Sequence, residues 1–386
     1  MGVRPVELSL ADEREVLAEV EPAALAAGVA DAWALTRVGG FLAPERLARM
    51  VEGRVAGRPR PAWADGSDGA LRGQTAVCRV GEAFVAPRLG AVIDARGRVF
   101  RSTVGEMLSW RPDLSVLPHV RAAGGKDLFD PPPNLPEVAA ASVFMAKGGE
   151  FNYGHYLLDC LPSLLALEEA GLARDLPPLA PPLKRWHRDL LALAFPGLAV
   201  REAVEPLVKA REVAFATSLD HFLHRPNRIL VDLRERILAA APAASARRVY
   251  VSRRAYPMRV MVNEPALEAA LRERGFTIVR AERLSVAEQI ALVRGAEAIV
   301  GATGAGLANA LLAPEGCKVF EILPEGFAAP WLRNVVHLAG GDWRGYFCPA
   351  PIDPRRVPWA YRVRRGFRWG YRLPLEEFLG FLDAAL

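Results

Sequence analysis

Between residues 247 and 324 the apolar positions switch between two periods. RRVYVS (247–252), FTIVRA (276–281), EAIVG (297–301) and KVFEIL (318–323) are short runs rich in β-branched and aromatic residues. Between them EPALEAALRERG (264–275) and SVAEQIALVRGA (285–296) repeat their apolar residues every three to four positions. Period two predicts strands and period 3.6 predicts helices. Local signals agree. Gly275 stands where a helix ends in the left-handed conformation, and Ser285 with Glu288 three residues on forms a capping box. AGLANALLA (305–313) is predicted as a third helix. Strands alternating with helices of this length predict a doubly wound parallel sheet.

The first half of the chain is patterned differently. TAVCRV (75–80), EAFVAP (82–87) and AVIDARGRVFRS (91–102) are short strand-like runs, with Asp94–Gly97 as a hairpin turn. ASVFMAKGG (141–149) predicts a strand running into a loop, KAREVAFATS (209–218) one strand, and NRILVDLRERILAAA (227–241) a helix. DPPPNLPEV (130–138) and DLPPLAPPLKRW (175–186) read as loops. In YGHYLLDCLPSLLALEEAG (153–171), Leu157, Cys160, Leu161, Leu164, Leu165 and Leu167 keep helical spacing, and Pro162 marks a kink or a start. Residues 10–60 mix amphipathic stretches with Gly and Pro, and their signal is weak. The chain ends in a helix within LPLEEFLGFLDAAL (373–386).

A length of 386 residues exceeds what one core usually serves, so more than one domain is expected. The boundaries read as 1–235, 236–345 and a tail of 346–386 packing across the lobes. A net charge of +5 is mild and spread out, which suits an anionic ligand and does not demand nucleic acid. No apolar run approaches the ~18 residues of a membrane span, and the first residues lack a signal-peptide core, so a cytoplasmic location is expected. Cys78, Cys160, Cys317 and Cys348 are scattered and fit neither a zinc site nor a disulfide framework. The tail WRGYFCPAPIDPRRVPWAYRVRRGFRWGYR interleaves Arg with aromatics. Stacking on sugars, leaning on an anionic membrane and forming a domain seam are the alternatives, and the seam is preferred.

Candidate chemistry gathers in two places. GATGAG (301–306) sits between a strand and a predicted helix, where bare amides and a helix N-terminus suit phosphate. Glu321, about 20 residues on, occupies the place of a ribose-binding acid in a dinucleotide fold. The glycine order is GxxGxG, and at least two βα units precede the loop, which argues against an oxidoreductase; a turn kept tight for packing is the third reading. Ser252, Arg253 and Arg254 end the first strand of the domain, with Arg259 close behind. Ligands of doubly wound sheets sit at the carboxyl ends of strands, and Arg forks match phosphate. The second place is the helix at 153–171. His155 and Asp159 share one face at i and i+4, with Asn152 a turn earlier. A carboxylate beside an imidazole orients it as a base, or is itself the base.

The series SRR-x4-R-x3-NE, Gln289 in AEQIALVRGAEAIVG, and GAGLANALLAPEGCKVFEILP resembles glycosyltransferase family 61, as does NYGHYLLDCLPSLLAL. The resemblance covers roughly residues 75–330. It implies a bacterial member with an α/β fold of two Rossmann-like lobes of GT-B type. It also implies metal-independent, inverting transfer of a sugar from a nucleotide-sugar, expected to be UDP-linked, to a glycan or lipid-linked acceptor, in surface polysaccharide synthesis. No further cofactor is implied; peripheral contact at the inner face of a membrane is compatible with such an acceptor. Asp159, His155 and Asn152 become the catalytic candidates, with a lean to Asp159 as base. Ser252, Arg253, Arg254, Arg259, Asn263, Glu264, Gln289, Thr303, Gly304, Ala305, Gly306, Asn309 and Glu321 become the donor-site candidates. Asn263 also suits an N-cap. One departure stands out: the family has His-Gly-Ala-Gly where this chain has Thr303-Gly304-Ala305-Gly306. The competing functions are an NAD(P)-dependent oxidoreductase using the GATGAG loop, and a catalytically silent sugar-nucleotide or glycan binder.

Overall fold

The computed structural model describes residues 5–11, 33–38, 54–58, 75–110, 113–145, 148–172, 175–216, 229–350, 352–353, 355, 357, 359–363 and 369–386. Most of the weakly patterned stretch at 10–60 lies outside these. The chain divides into two compact units, 1–40 with 73–220, and 41–72 with 221–386. The division falls earlier than the expected 235, because the helix Ile229–Ala240 belongs to the second unit, where Arg234 donates to the Ala313 carbonyl at 3.0 Å.

The second unit is built on a six-stranded parallel sheet. Its strand order is Thr277–Val279, Arg248–Val251, Ala298–Ala302, Lys318–Pro324, Asp342–Cys348, Val55–Gly57. Numbered from residue 248, that is order 2-1-3-4-5 with one strand from early in the chain on the far edge. The helices Glu264–Glu273 and Val286–Arg294 form as the periodicity predicts, and both halves of the Ser285–Glu288 capping box are present. The fifth strand was hidden in the sequence. WRGYFC reads as the start of a basic tail, yet it pairs in register with Lys318–Pro324 and buries Trp343, Tyr346 and Phe347. The helix before it, Trp331–Leu338, was likewise not expected. The end of the tail closes this unit's core: Gly370–Tyr371 pairs with Val260–Met261, and the helix Leu375–Asp383 packs Phe378 edge-on against Tyr346 at 5.4 Å.

The first unit departs from a simple Rossmann-like lobe. One of its sheets carries four parallel strands, Arg201–Glu202, Pro178–Ala180, Ala141–Val143 and Val213–Ala216, continued by antiparallel Thr75–Val80 and Trp33–Val38. A second six-stranded sheet is mostly antiparallel and holds the Asp94–Gly97 hairpin. KAREVAFATS, expected as one strand, supplies two: Val208–Ala210 joins the second sheet and Val213–Ala216 the first. The charged pair Arg211–Glu212 sits at the break, where the chain changes sheet. A strand buried on both faces tolerates no such pair in its middle. Cores of Val, Ala and Phe fill this unit, with Phe100 and Phe215 at 5.0 Å. All four cysteines are buried and none is disulfide-bonded.

Candidate functional site

The order 2-1-3-4-5 places a topological switch point between Arg248–Val251 and Ala298–Ala302. Chains leave these neighbouring strands toward opposite faces, so a crevice opens beyond their carboxyl ends, where ligands of such folds bind. Ser252, Arg253 and Arg254 follow one strand and Thr303 and Gly304 the other.

Two buried acids fix the turn after the first strand. Glu264 accepts from the Tyr250 hydroxyl at 2.9 Å and from the Arg253 amide at 2.7 Å. Glu268, one turn along the same helix, accepts from the Ser252 hydroxyl at 2.8 Å and from Arg254 at 3.3 Å. Burial raises the pKa of Glu264, while those two donors oppose the rise. The turn is therefore rigid and Arg254 is held sideways by Glu268. Glu268 escaped the sequence reading. Its signal was the i+4 spacing from Glu264 on the face that also buries Leu267 and Leu271.

Arg253 takes the other direction. Its guanidinium lies across Gly304, so that a Cβ at 304 would overlap Nη1 and stand 2.9 Å from Cζ. Glycine is required there to admit an arginine. Gly301 and Gly306 make room for Leu307 and for Val251. None of the three is left-handed, and Gly304 is extended at φ 160°, ψ 166°. The helix after the loop is a 3₁₀ helix, Ala305–Leu312, closed by Leu307 N–H donating to Gly304 O at 2.9 Å. The expected α-helix gives way because Leu307–Leu312 are buried on all sides, in a space the tighter winding fits.

Arg259 completes the crevice. It has a left-handed backbone at φ 55°, a conformation costing of order 1–3 kcal/mol for a non-glycine residue, and the Val260–Met261 pairing holds it there. Its guanidinium stacks on Phe327 at 3.8 Å. Arg253 and Arg259 each bury an Nε with no hydrogen-bond partner. Burial first, and then the like charge of Arg253, bring the Arg259 pKa down to about 9. Two neighbouring cations with unmet donors form a site shaped for an anion.

The other donor-site candidates divide. Gln289 donates to the Ala281 and Leu284 carbonyls and accepts from Asn309 at 3.1 Å, bracing the 3₁₀ helix. Asn263 occupies the N-cap position without a side-chain cap bond; instead it exchanges two hydrogen bonds with the Leu373 backbone, tying in the C-terminal segment. Ala305 opens the 3₁₀ helix beside Gly304. Thr303 is buried beside Glu321. Glu321, expected at a ribose, is fully enclosed and accepts from the Trp343 indole at 2.9 Å; burial raises its pKa to about 7, against the pull of Trp343, Thr303 and two arginines.

The second set of candidates lies in the first unit. Asn152 caps its helix, accepting from the Gly154 and His155 amides at 2.9 and 3.3 Å. One turn of α-helix then widens into a π-helix over Tyr156–Cys160, before α-helix resumes at Leu161–Glu169. Pro162 accounts for this. It has no N–H for the Leu158 carbonyl, and Leu161 N–H reaches five residues back to Tyr156 O. His155 Nδ1 and Asp159 Oδ2 meet at 2.9 Å, both residues buried.

The turn before this helix is clamped by a residue the sequence reading passed over. His187 Nδ1 accepts from the Lys184 amide at 2.9 Å, so its proton sits on Nε2 and is donated to the Gly149 carbonyl at 3.0 Å. Its ring packs on Tyr156 at 4.5 Å, and burial holds it neutral with a pKa of about 4. Lys184 adds a bond to the Glu150 carbonyl at 2.6 Å. Among the described residues no group of three His, Cys, Asp or Glu side chains is placed to hold a metal ion.

Fold and crevice together define an α/β protein whose second unit has a switch point lined by two arginines with unmet donors. The family described as Glycosyltransferase 61 matches residues 153–320, and over that segment the chain is similar to glycosyltransferase family 61. His155, Asp159 and the crevice residues from Ser252 to Asn309 fall inside the match, with Asn152 and Glu321 at its two margins. No curated protein matches the chain.

Proposed function

We propose that the protein is an inverting glycosyltransferase of GT-B type. It moves a sugar from a nucleotide-sugar donor, UDP-linked by preference, to a hydroxyl of a glycan or lipid-linked acceptor. The observation that carries this reading is the pair of orphaned, buried Nε atoms on Arg253 and Arg259 beside Gly304. They answer to a diphosphate: each guanidinium offers planar forked donors, and two positive charges match the charge of the leaving group.

In the reaction the acceptor oxygen attacks the anomeric carbon from the side opposite the diphosphate. The carbon–oxygen bond to phosphate breaks, and the bonding pair leaves with the diphosphate, met by Arg253 and Arg259. The acceptor proton passes to the His155–Asp159 pair. Asp159 is the preferred base, with His155 donating to it through Nδ1. A single displacement inverts the anomeric centre. The enclosure of Glu321 favours this reading over an oxidoreductase, whose ribose needs a reachable acid.

Isothermal calorimetry against UDP-sugars, GDP-sugars and NAD(P) tests it. Binding of one nucleotide-sugar class, with no heat from NAD(P), is expected. Heat from NAD(P) alone overturns the proposal.

A further inference from the structure

The C-terminal segment is fixed against the stretch that follows Arg259. Val260 N–H donates to Trp369 O at 3.2 Å, and Val262 N–H to Tyr371 O at 2.9 Å. The two chains run so close that a Cβ at Gly370 would stand only 3.0 Å from Val260 O. Asn263, at the start of the helix that carries Glu264 and Glu268, holds the Leu373 backbone by two hydrogen bonds. Tyr371 thus sits in register with Met261, two residues past Arg259. Its side chain is fully buried, and its hydroxyl has no hydrogen-bond partner. The charged side chains that act on it are Glu264, Arg253 and Arg259. Burial pushes its pKa well above the ordinary value of a tyrosine, so it stays a neutral phenol.

A buried hydroxyl without a partner costs stability, and a phenylalanine would fill the same space without that cost. Arg259 Nε, in the same neighbourhood, is a donor without an acceptor. The Tyr371 oxygen is an acceptor without a donor. Glu321, which also acts on Arg259, already accepts from the Trp343 indole. Two complementary groups left open in one neighbourhood point to a second arrangement in which they meet. Tyr371 is enclosed, so it acts on a ligand only through the arginine. We propose that Tyr371 is a positioning residue for donor binding: when a diphosphate engages the terminal nitrogens of Arg259, Nε–H donates to the Tyr371 oxygen and holds the guanidinium fork toward the phosphate. This rests on the reading of the crevice as a diphosphate site. It adds to that site a residue beyond the matched segment 153–320.

Calorimetry of the full chain with UDP, GDP and inorganic pyrophosphate, run as a double-mutant cycle, tests the proposal. Tyr371→Phe should weaken the tightest-binding of the three probes roughly 5- to 10-fold. Arg259→Lys keeps a charge and removes the Nε–H and the fork, so it should weaken binding at least as much. In that background Tyr371→Phe should add less than about a twofold loss, because the hydroxyl has lost the group it acts on. Before any probe is added, Tyr371→Phe should melt no lower than wild type, since the hydroxyl it removes bonds nothing. Unchanged affinity in Tyr371→Phe, the same factor in both backgrounds, or a lower melting temperature would overturn the proposal and leave the diphosphate site standing. If wild type binds none of the three probes, the reading of the crevice falls and this inference with it.

Discussion

The crevice at the switch point and the helix bearing His155 and Asp159 are held in place by opposite means. In the crevice the supporting groups are fully engaged while the functional ones are not. Glu264 and Glu268 tie down Ser252, Arg254 and the Arg253 amide, and the Nε atoms of Arg253 and Arg259 are left over. On the helix, the functional groups bond to each other: His155 and Asp159 close a 2.9 Å contact. A binding site declares itself by unmet hydrogen bonds, because its partner is the ligand. The proposed base and its orienting group bond to one another through Asp159 Oδ2 and His155 Nδ1, and they sit on a π-turn with a clamped entrance.

The largest effect expected from this contrast falls on the helix. Asp159→Asn keeps the shape and removes the proposed base, so turnover should drop at least ~100-fold while donor affinity stays within threefold or so of wild type. His155→Ala should fall in the same direction. Steady-state kinetics beside calorimetry separates the two quantities. Unchanged turnover in both variants would remove this helix from the reaction and leave a binding protein.

The crevice should answer the other way, losing affinity first. Arg253→Ala removes charge-assisted bonds worth about 1.5–3 kcal/mol each, so donor affinity should fall roughly 10- to 150-fold. Gly304→Ala is the more pointed variant. Its methyl group overlaps only the mobile end of Arg253, so the fold should survive with the arginine displaced, and affinity should fall nearly as far. Arg254, the next residue in the chain yet turned to Glu268, is the control: Arg254→Ala should change donor affinity less than about threefold. Equal losses for Arg253 and Arg254 would mean that general positive charge, not geometry, holds the ligand.

Much of the second unit could be read from the chain, and the reasons are local. Helices with caps at Ser285 and Gly275 and strands of β-branched residues carry their own instructions. The His155–Asp159 contact followed from i,i+4 spacing alone. What could not be read depended on distant partners. Asp342–Cys348 became a strand because a neighbouring parallel strand was available to pair with it, overriding its Arg and Gly. KAREVAFATS split because two sheets compete for it. Gly304 looked like a phosphate-binding glycine, whereas its lack of a side chain serves Arg253, a residue fifty-one positions earlier in the chain. His187 gave no signal in sequence, since one of its partners is a backbone carbonyl of a distant loop, Gly149, and the other a backbone amide at its own helix start, Lys184.

The smallest effect is a pH dependence of stability, and here the two units should move in opposite directions. Glu321, in the second unit, has its folded pKa raised by burial to about 7. An unfolded glutamate titrates near 4.3. Between those values the native state holds a proton the unfolded chain has lost, so stability falls as pH rises. His187, in the first unit, has its folded pKa lowered by burial to about 4, against ~6.5 unfolded. Over that window the unfolded chain takes up a proton the native state refuses, so stability falls as pH drops. From pH ~5 to ~6.5 each residue should contribute about 1.5 kcal/mol, with opposite sign. Glu321→Gln, which mimics the protonated acid, should flatten the decline of the second unit toward neutral pH. His187→Gln, which retains a donor and an acceptor, should blunt the acid sensitivity of the first. Hydrogen exchange at amides of Val300 and Phe215 reports each unit separately across that range. If both variants shift both amides alike, the units unfold as one, and the opposed titrations would show only as a shared, nearly flat profile.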